Sequence, residues 1–129
     1  MSVVLSKNPA FWAPGFLVIP DGDGQFTFEY RARFKRLPTE RQKEILAQLE
    51  ENRLATLAGK PLVLTDKQLL DEVLVDWEGF KDADGDIVVY SPANRDQACA
   101  EWFGLEASFS RAYLRAAWPE QIKKEAEKN

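Results

Sequence analysis

The chain has no histidine, one cysteine and one methionine among its 129 residues. Without histidine it lacks the side chain that most often acts as general base near neutral pH and most often gives nitrogen to a metal. Its one cysteine, Cys99, excludes an internal disulfide framework and fits a reducing compartment. That cysteine falls on the apolar side of a predicted helix with no histidine to activate it, so packing is its expected role. Long apolar runs are missing too. The longest, 16–19 and 87–90, are far too short to span a bilayer, and 1–11 has no apolar core of the signal-peptide kind. No phosphate-cradling glycine loop or serine elbow occurs. Asp82, Asp84 and Asp86 suggest a calcium loop, but the sixth and twelfth positions hold Ile87 and Ala93 rather than glycine and glutamate. The loop at Asp21 fails likewise, with Phe26 and Ala32 there. These absences predict a soluble, cytoplasmic protein that is not an enzyme and holds no cofactor, metal, nucleic acid or membrane.

What is present is a globular composition, 45% hydrophobic and 12% aromatic, of a length that suits a single domain over 1–129. Net charge is −4, unevenly spread. Between Asp66 and Glu106 eleven acidic residues face three basic ones, whereas Arg31, Arg33, Lys35 and Arg36 cluster on one predicted strand. Four bases on a strand read as a solvated or guarded sheet face rather than a nucleic-acid surface.

The strongest local signal is the alternation from Gln25. Phe26, Phe28, Tyr30, Ala32 and Phe34 point one way and Thr27, Glu29, Arg31, Arg33 and Lys35 the other, as in a half-buried strand. Residues 16–19 make its partner across the Pro20–Gly24 turn. A lone hairpin is marginal, so the following helices must cover its aromatic face. Thr39 is expected to cap the first, with Gln42 completing a capping box, Ile45, Leu46, Leu49, Leu54 and Leu57 as its apolar stripe, and Gly59 and Pro61 as its end.

Thr65 and Gln68 form a second capping box, opening a helix with Leu69, Leu70, Val73, Leu74 and Trp77 at helical spacing. Gly79 and the 82–86 turn break it, Ile87–Tyr90 reads as a short strand, and Ser91-Pro92 restarts a helix. That helix is expected to run to about Phe103, with Ala98, Cys99, Trp102 and Phe103 inward. The last spans about Leu105 to Ala117, with Leu105, Phe109, Ala112, Tyr113, Ala116 and Ala117 on its apolar stripe and Ser108, Arg111 and Arg115 opposite. Trp77 and Trp102 are expected in the core. Trp12 and Trp118 have no periodic reason for burial; either they pack within the tertiary fold or, with Leu114, they form a candidate partner-binding face. Residues 1–15 read as an irregular arm and 119–129 as a frayed C-terminal tail. The expected class is therefore α+β, an N-terminal β-hairpin packed against about four helices in a mostly helical domain.

The order helix, VLVDWEGF, acidic glycine turn, VVYSPAN, with Phe34-Lys35-Arg36-Leu37 leading into a polar helix, resembles the tail assembly chaperones of long-tailed bacteriophages over residues 25–118. The resemblance implies a protein of the host bacterial cytoplasm, absent from the mature virion. It would bind the tape measure protein and keep it soluble while the tail tube assembles. It further implies a longer form made by frameshifting that reaches the tail tube protein, and self-association into arcs or rings. Lys123-Lys124 fits a slippery adenine run, although paired lysines also complement a helix C-terminus. Two other readings are a structural tail component, such as a connector or stopper, and a small metal-dependent enzyme using the aspartate-rich turn.

Overall fold

The computed structural model describes residues 10–118. Seven elements follow in order: β1 (Ala10–Asp21), β2 (Gly24–Lys35), α1 (Thr39–Leu57), α2 (Asp66–Val73), β3 (Leu74–Glu78), α3 (Pro92–Glu101) and α4 (Leu105–Ala117). The fold is α+β, with an N-terminal hairpin in an antiparallel sheet of order β1-β2-β3 and four helices. α4 lies along β1, with α2 beside it against β2. Between them they bury Tyr30, Ala32, Phe34, Leu69, Leu70, Val73, Phe109 and Tyr113.

The arm expected over 1–15 is strand from Ala10 onward, and residues 1–9, like the tail 119–129 with Lys123-Lys124, lie outside the described residues. Apolar side chains at consecutive positions 10–14 hid the alternation. Pro14 and Pro20 also argued against a strand, and the register explains how they fit. Ser108 Oγ on α4 donates to Phe16 O at 2.6 Å, so the even-numbered residues turn their backbone groups away from β2. Pro14 and Pro20 share that parity, and their missing N–H groups fall on the open edge, where proline is tolerated. The same Oγ meets the Tyr30 hydroxyl at 2.6 Å. Its one proton goes to the carbonyl, so Tyr30 donates to it. Ser108, expected to face solvent, is thus buried at 2% exposure and closes the edge of β1.

The helix read through Trp77 stops at Val73, and 74–78 joins the sheet. Leu74 pairs with Phe34 while Asp76 pairs with Arg33, leaving Val75 as an inserted residue in a bulge. The bulge changes parity, so Leu74 and Trp77, three apart, both face inward; a helical spacing is met inside a strand. The Thr65–Gln68 capping box forms in both directions, and Ser91 Oγ accepts from Asn94 N at 3.0 Å with Pro92 in the first turn. The Thr39 cap does not form: Pro38 holds the cap position without a side-chain bond, and Gln42 Nε2 donates to Leu37 O instead. Of the stripe expected on α1 only Ile45 is buried, with Leu49 partly so; Leu46, Leu54 and Leu57 are exposed. This helix is tied down by Arg41, whose Nε and Nη2 grip Glu72 at 2.8 and 2.7 Å. Asn52 adds bonds to the backbone at Val63 and Leu64. The strand expected at 87–90 reduces to one bridge, Lys81 to Ile87. No helix among the described residues is long and apolar enough to cross a membrane.

Candidate binding groove

The aromatic stripe of β2 is not covered along its whole length. Twelve residues of strand extend about 40 Å at roughly 3.3 Å each, while the thirteen of α4 reach only about 20 Å. α4 runs antiparallel to β1, with Tyr113 stacked on Phe11 and Leu17 so near Gly104 that a Cβ there would meet its Cδ1 at 3.4 Å. α2 enters β3 at the residue paired with Phe34. Both helices therefore serve the Phe34 end. Toward the hairpin turn the inward side chains Leu17, Ile19, Phe26 and Phe28 form one wall of an open groove of about 880 Å³. Phe80 and the 87–89 segment make the floor and second wall, and Ala98 and Trp102 of the α3 region the third.

The floor is built firmly. Gly79 sits at φ +103°, where a Cβ would come within 3.3 Å of Glu29 O and Tyr30 Cα, so only glycine lets the chain turn so close to β2. Phe80 is thereby laid on Trp77 at 4.2 Å between ring centres, with its edge to Phe28 at 5.3 Å. Beyond it, Asp82 Oδ1 accepts from Asp84 N and Asp86 N, Val88 N donates to Phe80 O, and Trp77 Nε1 donates to Val88 O at 2.8 Å. Tyr90 hydroxyl donates to Leu74 O. α3 is fixed from below by Arg95, buried at 2% exposure, whose guanidinium bonds Leu70 O, Tyr90 Oη, Asp71 and Asp96. Those partners lie on α2, on the segment leading into α3 and on α3 itself, so Arg95 acts as a pin.

Over this floor the walls are bare. Phe26 and Trp102 are each 48% exposed, and Ile87 and Val89 more so. Trp102 and Phe103, expected inward, fall outside α3, which ends at Glu101, and Phe103 is fully exposed. α3 breaks at Trp102 itself, whose backbone turns extended at φ −115° and ψ +101°, and Gly104 at φ +91° then leads the chain into α4. Contiguous exposed apolar surface of this kind marks an interaction site more than a packing defect.

Titratable groups on the lining are Lys81, Asp82 and Glu101. Asp82 is used inside its own turn, and among the described residues no group of three or more His, Cys, Asp or Glu side chains could hold a metal. Cys99 lies half-buried on α3; burial first, then the nearby Glu106 carboxylate, push its thiol up to about 11, which leaves it protonated and weakly nucleophilic.

The three residues read as a partner face are placed apart. Trp118 packs edge-on against Tyr113 at 5.7 Å and, with Leu114, lies partly buried against the core. Trp12 is on the opposite side of the hairpin, beneath the Arg31 guanidinium at 5.2 Å. Near it a shallower hollow of about 470 Å³ is bounded by Pro14, Phe16, Arg31 and Glu78, the last two paired at 3.6 Å. Read from the sequence, Phe26, Ile87 and Val89 take strand positions and Trp102 a core one, and none of the four is marked as binding surface. The one signal available was the excess length of the alternating strand over any helix able to cover it.

Comparison of the chain with protein-family models, curated proteins and solved structures finds no match.

Proposed function

We propose that this protein is a holding chaperone of the tail-assembly type, binding an apolar segment of a tape measure protein in the groove between the hairpin tip and α3. The observation that carries the reading is the aromatic stripe that leaves the core at Phe28 and ends uncovered at Phe26, opposite Trp102. A client segment laid there would bury several large side chains, each worth about 1.5–3 kcal/mol on full burial. Holding requires no nucleotide, since binding alone removes the client from the aggregating pool. Leu54, Leu57, Leu62 and Val63 give a second exposed apolar surface near the end of α1. It supports contact between copies spaced along one long client, and with it assembly into arcs or rings.

The test is co-expression with a tape measure protein and assay of its solubility. The native chain should raise the soluble fraction severalfold. A Phe26→Ser, Trp102→Ser double variant, folded by circular dichroism, should not. Equal rescue by both chains would place the client elsewhere, and rescue by neither would remove the holding role. Stoichiometric recovery of the chain in purified tails would turn the assignment toward a connector or stopper.

A further inference from the structure

We propose that the groove's occupant is an amphipathic helix of another polypeptide whose apolar stripe is flanked by lysine or arginine. This rests on the groove being the docking site and names the chemistry of what docks.

The two sheet edges select helix over extended peptide. A peptide in β conformation would need an edge with a continuous run of free donors and acceptors, and neither edge offers one. On β1, Pro14 and Pro20 remove donors from the open side and Ser108 holds the Phe16 carbonyl, which leaves no run of alternate residues to continue a ladder. On β3, Trp77 N is satisfied by Asp76 Oδ1 at 2.8 Å and the Leu74 carbonyl by Tyr90. Recognition is left to side chains alone. A helix with apolar residues along one stripe can offer side chains while satisfying its own backbone.

Charge selects the flanks. Asp82, in the turn after Phe80, and Glu101, at the end of α3, both line the groove, and Asp84 and Asp86 follow in the same turn as Asp82. Among the described residues none of these four is in an ion pair, whereas Asp71, Glu72, Glu78 and Asp96 all are. Lys81 is the single base on the lining. Acids without a basic ion partner on two separate lining elements favour a partner whose apolar stripe is flanked by positive charge and repel one carrying negative charge.

The experiment uses two synthetic helical peptides of about eighteen residues with the same leucine stripe, one flanked by lysine and one by glutamate. Binding to the full chain is followed by calorimetry at low salt and again at about 1 M, where charges are screened beyond about 3 Å. The lysine peptide should bind about tenfold tighter at low salt. That preference should collapse at high salt and in an Asp82→Asn, Glu101→Gln variant, whose side-chain amide at position 82 still offers the turn a carbonyl acceptor. Equal affinities would overturn the basic-flank inference and leave the groove standing. Binding of neither peptide, or binding unaffected by Phe26→Ser, would overturn the groove as docking site. Tighter binding of a β-branched, extended version of the lysine peptide would overturn the helical occupant.

Discussion

Phe34 and Phe26 lie on the same face of the same strand and meet opposite fates. Phe34 is wholly buried, its ring edge-on to Tyr113 at 5.2 Å and tilted against Phe11 at 5.9 Å. Phe26 is half exposed at the hairpin tip. The local sequence is equally apolar at both ends, so the difference comes from reach: α2 and α4 cover one half of the hairpin and stop. An apolar residue is thus core or exposed surface according to what stands over it, and a strand longer than its covering helix makes both from one pattern.

The comparison breaks most sharply under matched truncations. Phe34→Ala should destabilise the fold by about 3–5 kcal/mol, as for other large-to-small changes in packed cores. Phe26→Ala should change stability by no more than about 0.5 kcal/mol while abolishing client binding. Urea melts of the two variants beside the wild type decide it. Equal destabilisation would mean that the tip stripe is core after all.

A smaller effect is expected at Gly15, where the buried stripe crosses β1. The Tyr30 ring lies over this glycine, and a Cβ there would fall 2.3 Å from ring carbons. Because the Tyr30 hydroxyl is also bonded to Ser108, the ring cannot swing aside without breaking that bond. Gly15→Ala should therefore cost about 1–3 kcal/mol, in the range of other overpacked cores. Adding Tyr30→Ala should relieve the clash, so that the double variant is more stable than the sum of the single changes. Strict additivity would show the ring free to move.

The same residues show how much of the fold was legible in the sequence. The hairpin, four helices, the Thr65 and Ser91 caps and the inward set Tyr30, Phe34, Phe109 and Tyr113 follow from local alternation and capping chemistry. Leu74–Glu78 was lost to a helix because Leu69, Leu70, Val73, Leu74 and Trp77 satisfy a helical period, and only pairing with β2 through a bulge makes that spacing a strand. Steps of 100° put Ser108 with Arg111 and Arg115, opposite the apolar stripe, and nothing local reveals the Phe16 carbonyl it caps. The groove was missed for a related reason. Periodicity reports which side chains share a face, and it does not report where the covering element ends.

Two tryptophans extend the comparison to a smaller scale. Trp118 packs on Tyr113 at the covered end, and Trp102 stands over the groove. Trp118→Ala should lower stability by about 1–2 kcal/mol, since only part of its ring is covered. Trp102→Ala should leave thermal unfolding almost unchanged and weaken binding of an apolar client. The reverse pattern, with client affinity lost in Trp118→Ala and kept in Trp102→Ala, would return the partner face to Trp12, Leu114 and Trp118.

The smallest effect concerns how α1 is held at the covered end. Its fork from Arg41 onto Glu72 draws the Glu72 carboxyl below its ordinary 4.5, the hydrogen bond outweighing the opposing effect of burial. A carboxylate depressed in the folded state contributes stability at neutral pH, and that contribution is lost as pH falls from the ordinary value through the folded one. The melting temperature should therefore drop on acidification below about pH 4.5, and less steeply in Glu72→Gln, which cannot titrate. Some acid slope should survive in that variant, because Asp71 is also depressed, burial that would raise it being outweighed by its bonds to Arg95 and Lys67. Glu72 is about one-third exposed and solvent screening weakens such pairs, so the difference should be a few degrees at most. Parallel acid limbs in the two proteins would show that α1 stays on through Ile45 and the Asn52 bonds alone.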